Sequence, residues 1–158
     1  MKRIIRYFLI LALGALIVMQ FIRPTKNESG YQTVVTFEED TQPSTKVAAI
    51  LKTNCYDCHS NHTIYPWYAE VAPVSYWLRD HIINAKKHFN VSEWENYSIK
   101  KKDHKLEELL EMVETGSMPL DSYTWLHGDL SEEDAKLLLQ WAALVRLEYQ
   151  NEVKVSAN

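Results

Sequence analysis

With 158 residues, 46% of them hydrophobic, five Trp and nine Tyr, the chain has room for one domain plus a terminal extension and can bury a real core, which excludes global disorder. The formal net charge of −4 is unevenly spread: residues 1–23 carry Lys2, Arg3, Arg6 and Arg23 and no acid, which leaves 13 basic against 21 acidic groups in the rest. An acidic body argues against nucleic acid as a partner and favours a basic docking partner.

In chain order, a basic start is followed by an apolar run from Tyr7 to Ile22, broken only by Gln20. Sixteen helical residues reach about 24 Å, slightly short of the ~30 Å hydrocarbon core, and Ile4 and Ile5 extend the run if Arg6 snorkels. No small-x-small cleavage site follows, so residues 1–23 read as a retained transmembrane helix rather than a removed signal peptide. The excess of Lys and Arg before it predicts a single-pass inner-membrane protein with its body on the periplasmic side. Residues 24–43, polar and closed by Pro at each end, read as a linker, with Thr33–Phe37 either a short extended arm against the domain or part of a flexible tether.

Ser44 or Thr45 caps a helix to about Thr53, with Val47, Ile50 and Leu51 on one face. That helix delivers the chain into Cys55-Tyr56-Asp57-Cys58-His59, which holds the only two cysteines. C-x-x-C-H is a covalent haem attachment signature: two thiols add across the two vinyl groups, and the adjoining imidazole becomes an iron ligand. The competing readings are weaker. A structural zinc site needs four ligands, and neighbouring Cys58 and His59 would strain a cage completed by Cys55 and His62. No βαβ pattern supports a thioredoxin-like pair, and a disulfide here would close too small a loop to stabilise much.

An aromatic loop follows, His62 to Tyr68. Pro73 then starts a helix to about His88 with Val74, Trp77, Leu78, Ile82 and Ala85 at helical spacing. Phe89–Lys102 reads as turn-like, with Ser92 capping a short turn that contains Trp94. A third helix spans Asp103–Thr115 on Leu106, Leu109, Leu110 and Val113 and stops at Gly116. Ser131-Glu132-Glu133-Asp134 opens the last helix, with Leu137, Leu138, Trp141, Leu144, Val145 and Leu147 as its apolar side.

Iron in this site needs or leaves open a sixth ligand. Met118, in Gly116-Ser117-Met118-Pro119-Leu120, is the first candidate: the loop can aim it inward, and a soft thioether opposite imidazole raises the reduction potential. His81 and His127 are fallbacks. His62 lies too near His59 to reach the opposite face, and His88 and His104 read as surface residues. Tyr65, Trp67 and Tyr68, with Trp77, Tyr123 and Trp125, are candidates to pack on a porphyrin. Arg79 could pair with a propionate. Lys86, Lys87, Lys100, Lys101, Lys102 and Lys105 read more readily as a solvated face than as a docking patch.

Taken together, Cys55-x-x-Cys58-His59-Ser60, Thr63–Tyr68, Pro73-Val74-Ser75, His88–Trp94, Met118-Pro119 and Trp141 resemble the small haem-binding domain proteins related to cytochrome c. The likeness covers about Lys46 to Tyr149. Asn84-Ala85-Lys86 departs from it where relatives are expected to carry Gly. The resemblance implies a monohaem, all-α, cytochrome c-like domain (residues 44–150, with a tail at 151–158) and His59 and Met118 as axial ligands. The expectation is one covalent haem c and one-electron transfer with redox partner proteins, not enzymatic turnover. The alternatives are a peroxidase or gas or redox sensor with a labile sixth ligand and, more remotely, a haem-free interaction module.

Overall fold

The computed structural model describes residues 1–156, and within them the chain is helical. Helix α1 runs over Lys2–Met19, α2 over Val35–Thr41, α3 over Thr45–Asn54 and the single turn α4 over Tyr56–His59. Then come α5 (Val74–His88), α6 (Ile99–Glu114), α7 (Asp121–His127) and α8 (Glu132–Ser156), with short 3-10 turns at Tyr31–Val34, Trp67–Glu70 and Val91–Asn96. The only strand-like pairing among the described residues is an isolated bridge between Glu28 and His62. The all-α expectation stands.

The transmembrane helix does not. No helix among the described residues is long and apolar enough to cross a membrane. The reason lies in where α1 begins and ends. It takes in Lys2, Arg3 and Arg6 at one end and stops at Met19 at the other. Its uncharged part, Tyr7–Met19, is about 20 Å long against a ~30 Å hydrocarbon core. Gln20, expected inside the span, instead turns to the domain: its Oε1 accepts from Ala72 N at 3.0 Å and its Nε2 donates to Ala72 O at 3.1 Å. The single-pass inner-membrane placement, and the periplasmic orientation deduced from it, are corrected accordingly.

The core forms where α2, α3, α6 and α8 meet the turn around Trp94. Ser44 caps α3 by accepting from Val47 N, and Val47, Ile50 and Leu51 are buried as their spacing predicts. Ser98 caps α6, so that helix begins before the expected Asp103. Ser131 Oγ accepts from Asp134 N at the start of α8. The buried stripe of α8 is Leu138, Trp141, Ala142, Val145 and Tyr149, while Leu144 and Leu147 are 63% and 55% exposed. The last turns of α8 extend to Ser156 through residues expected as a tail, and Ala157 and Asn158 of that tail lie outside the described residues.

Between Pro24 and Pro43, where a linker was expected, the chain turns helical from Tyr31 to Thr41 and inserts into the core. Val34 and Phe37 are completely buried. Phe37 packs edge-on to Trp94 with centroids 4.9 Å apart and also meets Tyr56, Phe89 and Trp141. Buried indoles need acceptors, and this segment supplies them. Trp141 Nε1 donates to Thr41 O at 3.0 Å and Trp94 Nε1 to Asp40 Oδ2 at 2.8 Å.

Asp40 Oδ2 also accepts from Lys102 Nζ at 2.8 Å and from Tyr149 Oη at 2.5 Å. Burial acts to raise the Asp40 pKa, but the bonds from Lys102, Tyr149 and Trp94 outweigh it and hold the carboxyl below its ordinary value. A depressed carboxylate contributes stability above its unfolded-state pKa and loses it as the pH falls through the folded one. Asp40→Asn is therefore expected to lower the urea midpoint near neutral pH and to converge on the wild type in strong acid. Parallel urea titrations across that range check this.

Candidate functional site

Helix α3 ends at Cys55, which closes the helix with its N–H on Leu51 O at 2.9 Å and whose own carbonyl accepts from Cys58 N and His59 N. One turn of backbone therefore presents Cys55, Cys58 and His59 together. Both cysteines are free thiols. Burial pushes Cys55 up to about 12 and Cys58 up to about 11, so both stay protonated at neutral pH. That is the opposite of the lowered thiol of a redox-active pair. Among the described residues no group of three or more His, Cys, Asp or Glu is arranged to hold a metal ion, which disfavours the zinc cage weighed from the sequence.

His59 is fixed by α5. Its Nδ1 lies 2.9 Å from the carbonyl oxygen of Phe89, the residue that caps α5. A carbonyl can only accept, so Nδ1 carries the proton and Nε2 is left with its lone pair. Burial lowers the imidazole pKa and favours the neutral ring. The ring also leans on Phe89, centroids 5.6 Å apart, and Phe89 in turn packs on Phe37 and Trp94. The aromatic core thus sets the direction of the imidazole.

The remaining floor of the site is polar. Asp57, inside the Cys-x-x-Cys interval, accepts from Ile64 N at 2.9 Å, and its carbonyl accepts from Thr63 Oγ1 at 2.6 Å. Tyr123 Oη donates to Thr53 O at 2.7 Å and lies 3.3 Å from Asp57 Oδ2. Tyr68 Oη lies 3.3 Å from His127 Nε2. Burial raises both phenols, and the Asp57 charge adds to the effect.

The other expected contributors fall as follows. Met118 is half-buried in the loop between α6 and α7, its N–H on Met112 O at 3.0 Å. Trp67 and Trp125 are each 81% exposed, with Ile64 and Leu126 also open. Tyr65 turns toward the N-terminal segment, where its hydroxyl accepts from Asn27 N at 2.8 Å. His81 is bonded to Trp77 O on its own helix, and His104 sits between Glu107 and Glu108. Arg79 is paired with Asp80. The lysine group is broken up: Lys86 is spent on Asn27, Lys102 on Asp40 and Lys105 on Glu108. Phe89 lies in the His88–Trp94 tract of the resemblance, but its role there is hidden from the sequence because it contributes a main-chain carbonyl. Tyr123 was visible only as one aromatic among several.

A family model described as a haem-binding domain matches residues 14–144. The chain belongs to the haem-binding domain family. No curated protein and no solved structure matches it. The residues present fit the group that this haem-binding domain takes. A neutral imidazole with a free Nε2 suits iron, its Nδ1–H partner being the outer-shell contact that orients such ligands. On the same turn lie two protonated thiols, and the segments that follow it and α7 carry exposed Trp, Ile and Leu side chains suited to an apolar macrocycle. The match runs from within α1 to within α8, so the haem-binding domain includes the Pro24–Pro43 segment that feeds the core.

Proposed function

We propose that this haem-binding domain carries one haem c, attached through Cys55 and Cys58, with His59 and Met118 on the iron, and works as a one-electron carrier between redox partner proteins. The observation that carries this reading is the bond between His59 Nδ1 and the Phe89 carbonyl, which puts the ring proton on Nδ1 and leaves the lone pair on Nε2. Bound haem supplies a single site that cycles between ferric and ferrous iron. The chain's own residues do the rest. Phe89 fixes the imidazole tautomer and makes it a stronger donor, and α4 holds both thiols beside it. The Met118 loop brings a thioether, a soft ligand that favours the ferrous state. Two protein ligands leave iron no vacancy for substrate, which makes the reading non-enzymatic.

Met118→Ala in haem-loaded protein is expected to give a high-spin ferric spectrum and ready carbon monoxide binding to the ferrous form. Wild type should bind carbon monoxide weakly. Avid binding by the wild type would overturn the carrier reading in favour of an open-site sensor or peroxidase.

A further inference from the structure

We propose that Tyr123 is a positioning residue for the sixth iron ligand, an inference that rests on the His59/Met118 reading above. The loop that holds Met118 is tied at its start to α6, through Gly116 N on Val113 O at 3.1 Å and Met118 N on Met112 O at 3.0 Å. At its far end it passes directly into α7, and the Tyr123 hydroxyl fastens α7 to the last turn of α3, just ahead of the attachment turn. That one proton is directed at Thr53 O, two residues before Cys55, with the Asp57 carboxylate at a longer distance on the other side of Cys55.

The fastening is itself braced. His127 stacks on Tyr123 at 4.1 Å and 9°, and its Nδ1–H donates to Tyr123 O at 3.0 Å. Its Nε2, left as an acceptor, receives the Tyr68 hydroxyl. Helix α7 is therefore held at two points against segments that flank Cys58. A loop fixed at both ends samples few conformations, so the thioether is delivered with little ordering cost. Removing the phenol oxygen frees one end of the loop without touching any ligand or thiol.

In haem-loaded Tyr123→Phe the affinity of the ferrous form for carbon monoxide, which competes with Met118, is expected to rise about three- to tenfold, the loss of one net hydrogen bond. The decisive measurement is the double-mutant cycle with Met118→Ala. In the Met118→Ala background, Tyr123→Phe should change carbon monoxide affinity no further. An equal rise in both backgrounds, or no rise in the first, overturns the inference. If Met118→Ala alone leaves carbon monoxide binding at the wild-type level, the ligand assignment itself has failed and this inference falls with it. Should Tyr123→Phe not mature, Tyr68→Phe releases the second fastening, and the same cycle applies with a smaller rise. A thermal melt run alongside separates a purely structural effect, which would lower the melting temperature and leave carbon monoxide affinity alone.

Discussion

Replacing both Cys55 and Cys58 by Ala is expected to abolish covalently held haem. Wild type matured in a host that attaches haem c should keep its colour through acid–acetone extraction and give a c-type pyridine haemochrome. The double variant should lose all of it, and each single variant should show a band displaced toward that of haem with one free vinyl. The expectation follows from the arrangement of the turn. Both thiols sit on the backbone that carries His59, both are free, and among the described residues neither belongs to a group arranged to hold a metal ion. Haem retained after extraction by the double variant, or colourless wild type, would leave the thiols without the role assigned to them.

The second large effect is on stability. Phe37→Ala should cost about 3–5 kcal/mol, the usual range for an aromatic truncated in a closed core. Phe37 is completely buried and touches Tyr56, Phe89, Trp94 and Trp141. If residues 24–43 were a solvated tether, the same change would stay within about 0.5 kcal/mol. Urea unfolding at neutral pH distinguishes the two. Because Phe89 lies between Phe37 and His59, the variant should also loosen the imidazole, visible as a heterogeneous ferric spectrum once haem is attached.

Much of the site was legible because its chemistry is local. Cys55, Cys58 and His59 fall within five residues on one turn, so their spacing is readable from the sequence. The helices were legible where a cap and a 3.6-residue apolar period coincide, as at Ser44 with Val47, Ile50 and Leu51, or at Ser131 before α8. Legibility failed where a residue's fate depends on distant partners. Val34, Phe37 and Thr41 form a buried helical stripe, but Thr and Glu surround them, and the acceptors that this segment offers, Asp40 Oδ2 and Thr41 O, serve indoles far away at positions 94 and 141. On α8 the apolar stripe was wide enough for two rotations, and packing against α6 and α3 selected the one that buries Ala142 and Tyr149 and leaves Leu144 outside. At the N-terminus hydropathy counted Gln20 and Ile22 into the span. Hydrogen bonding of Gln20 to Ala72 ended the helix sooner.

The Asp40–Tyr149 and Thr41–Trp141 bonds join positions 109 and 100 residues apart. Contacts of such long range must await the whole intervening chain, which makes closure late and slow. During vectorial synthesis the Cys55–His59 turn therefore emerges well before α8, the helix that packs on α3 and shuts the core behind it. In that interval the turn already has α3 and α5, its own neighbours in the fold, to pack on, while the side of α3 that meets α8 stays open.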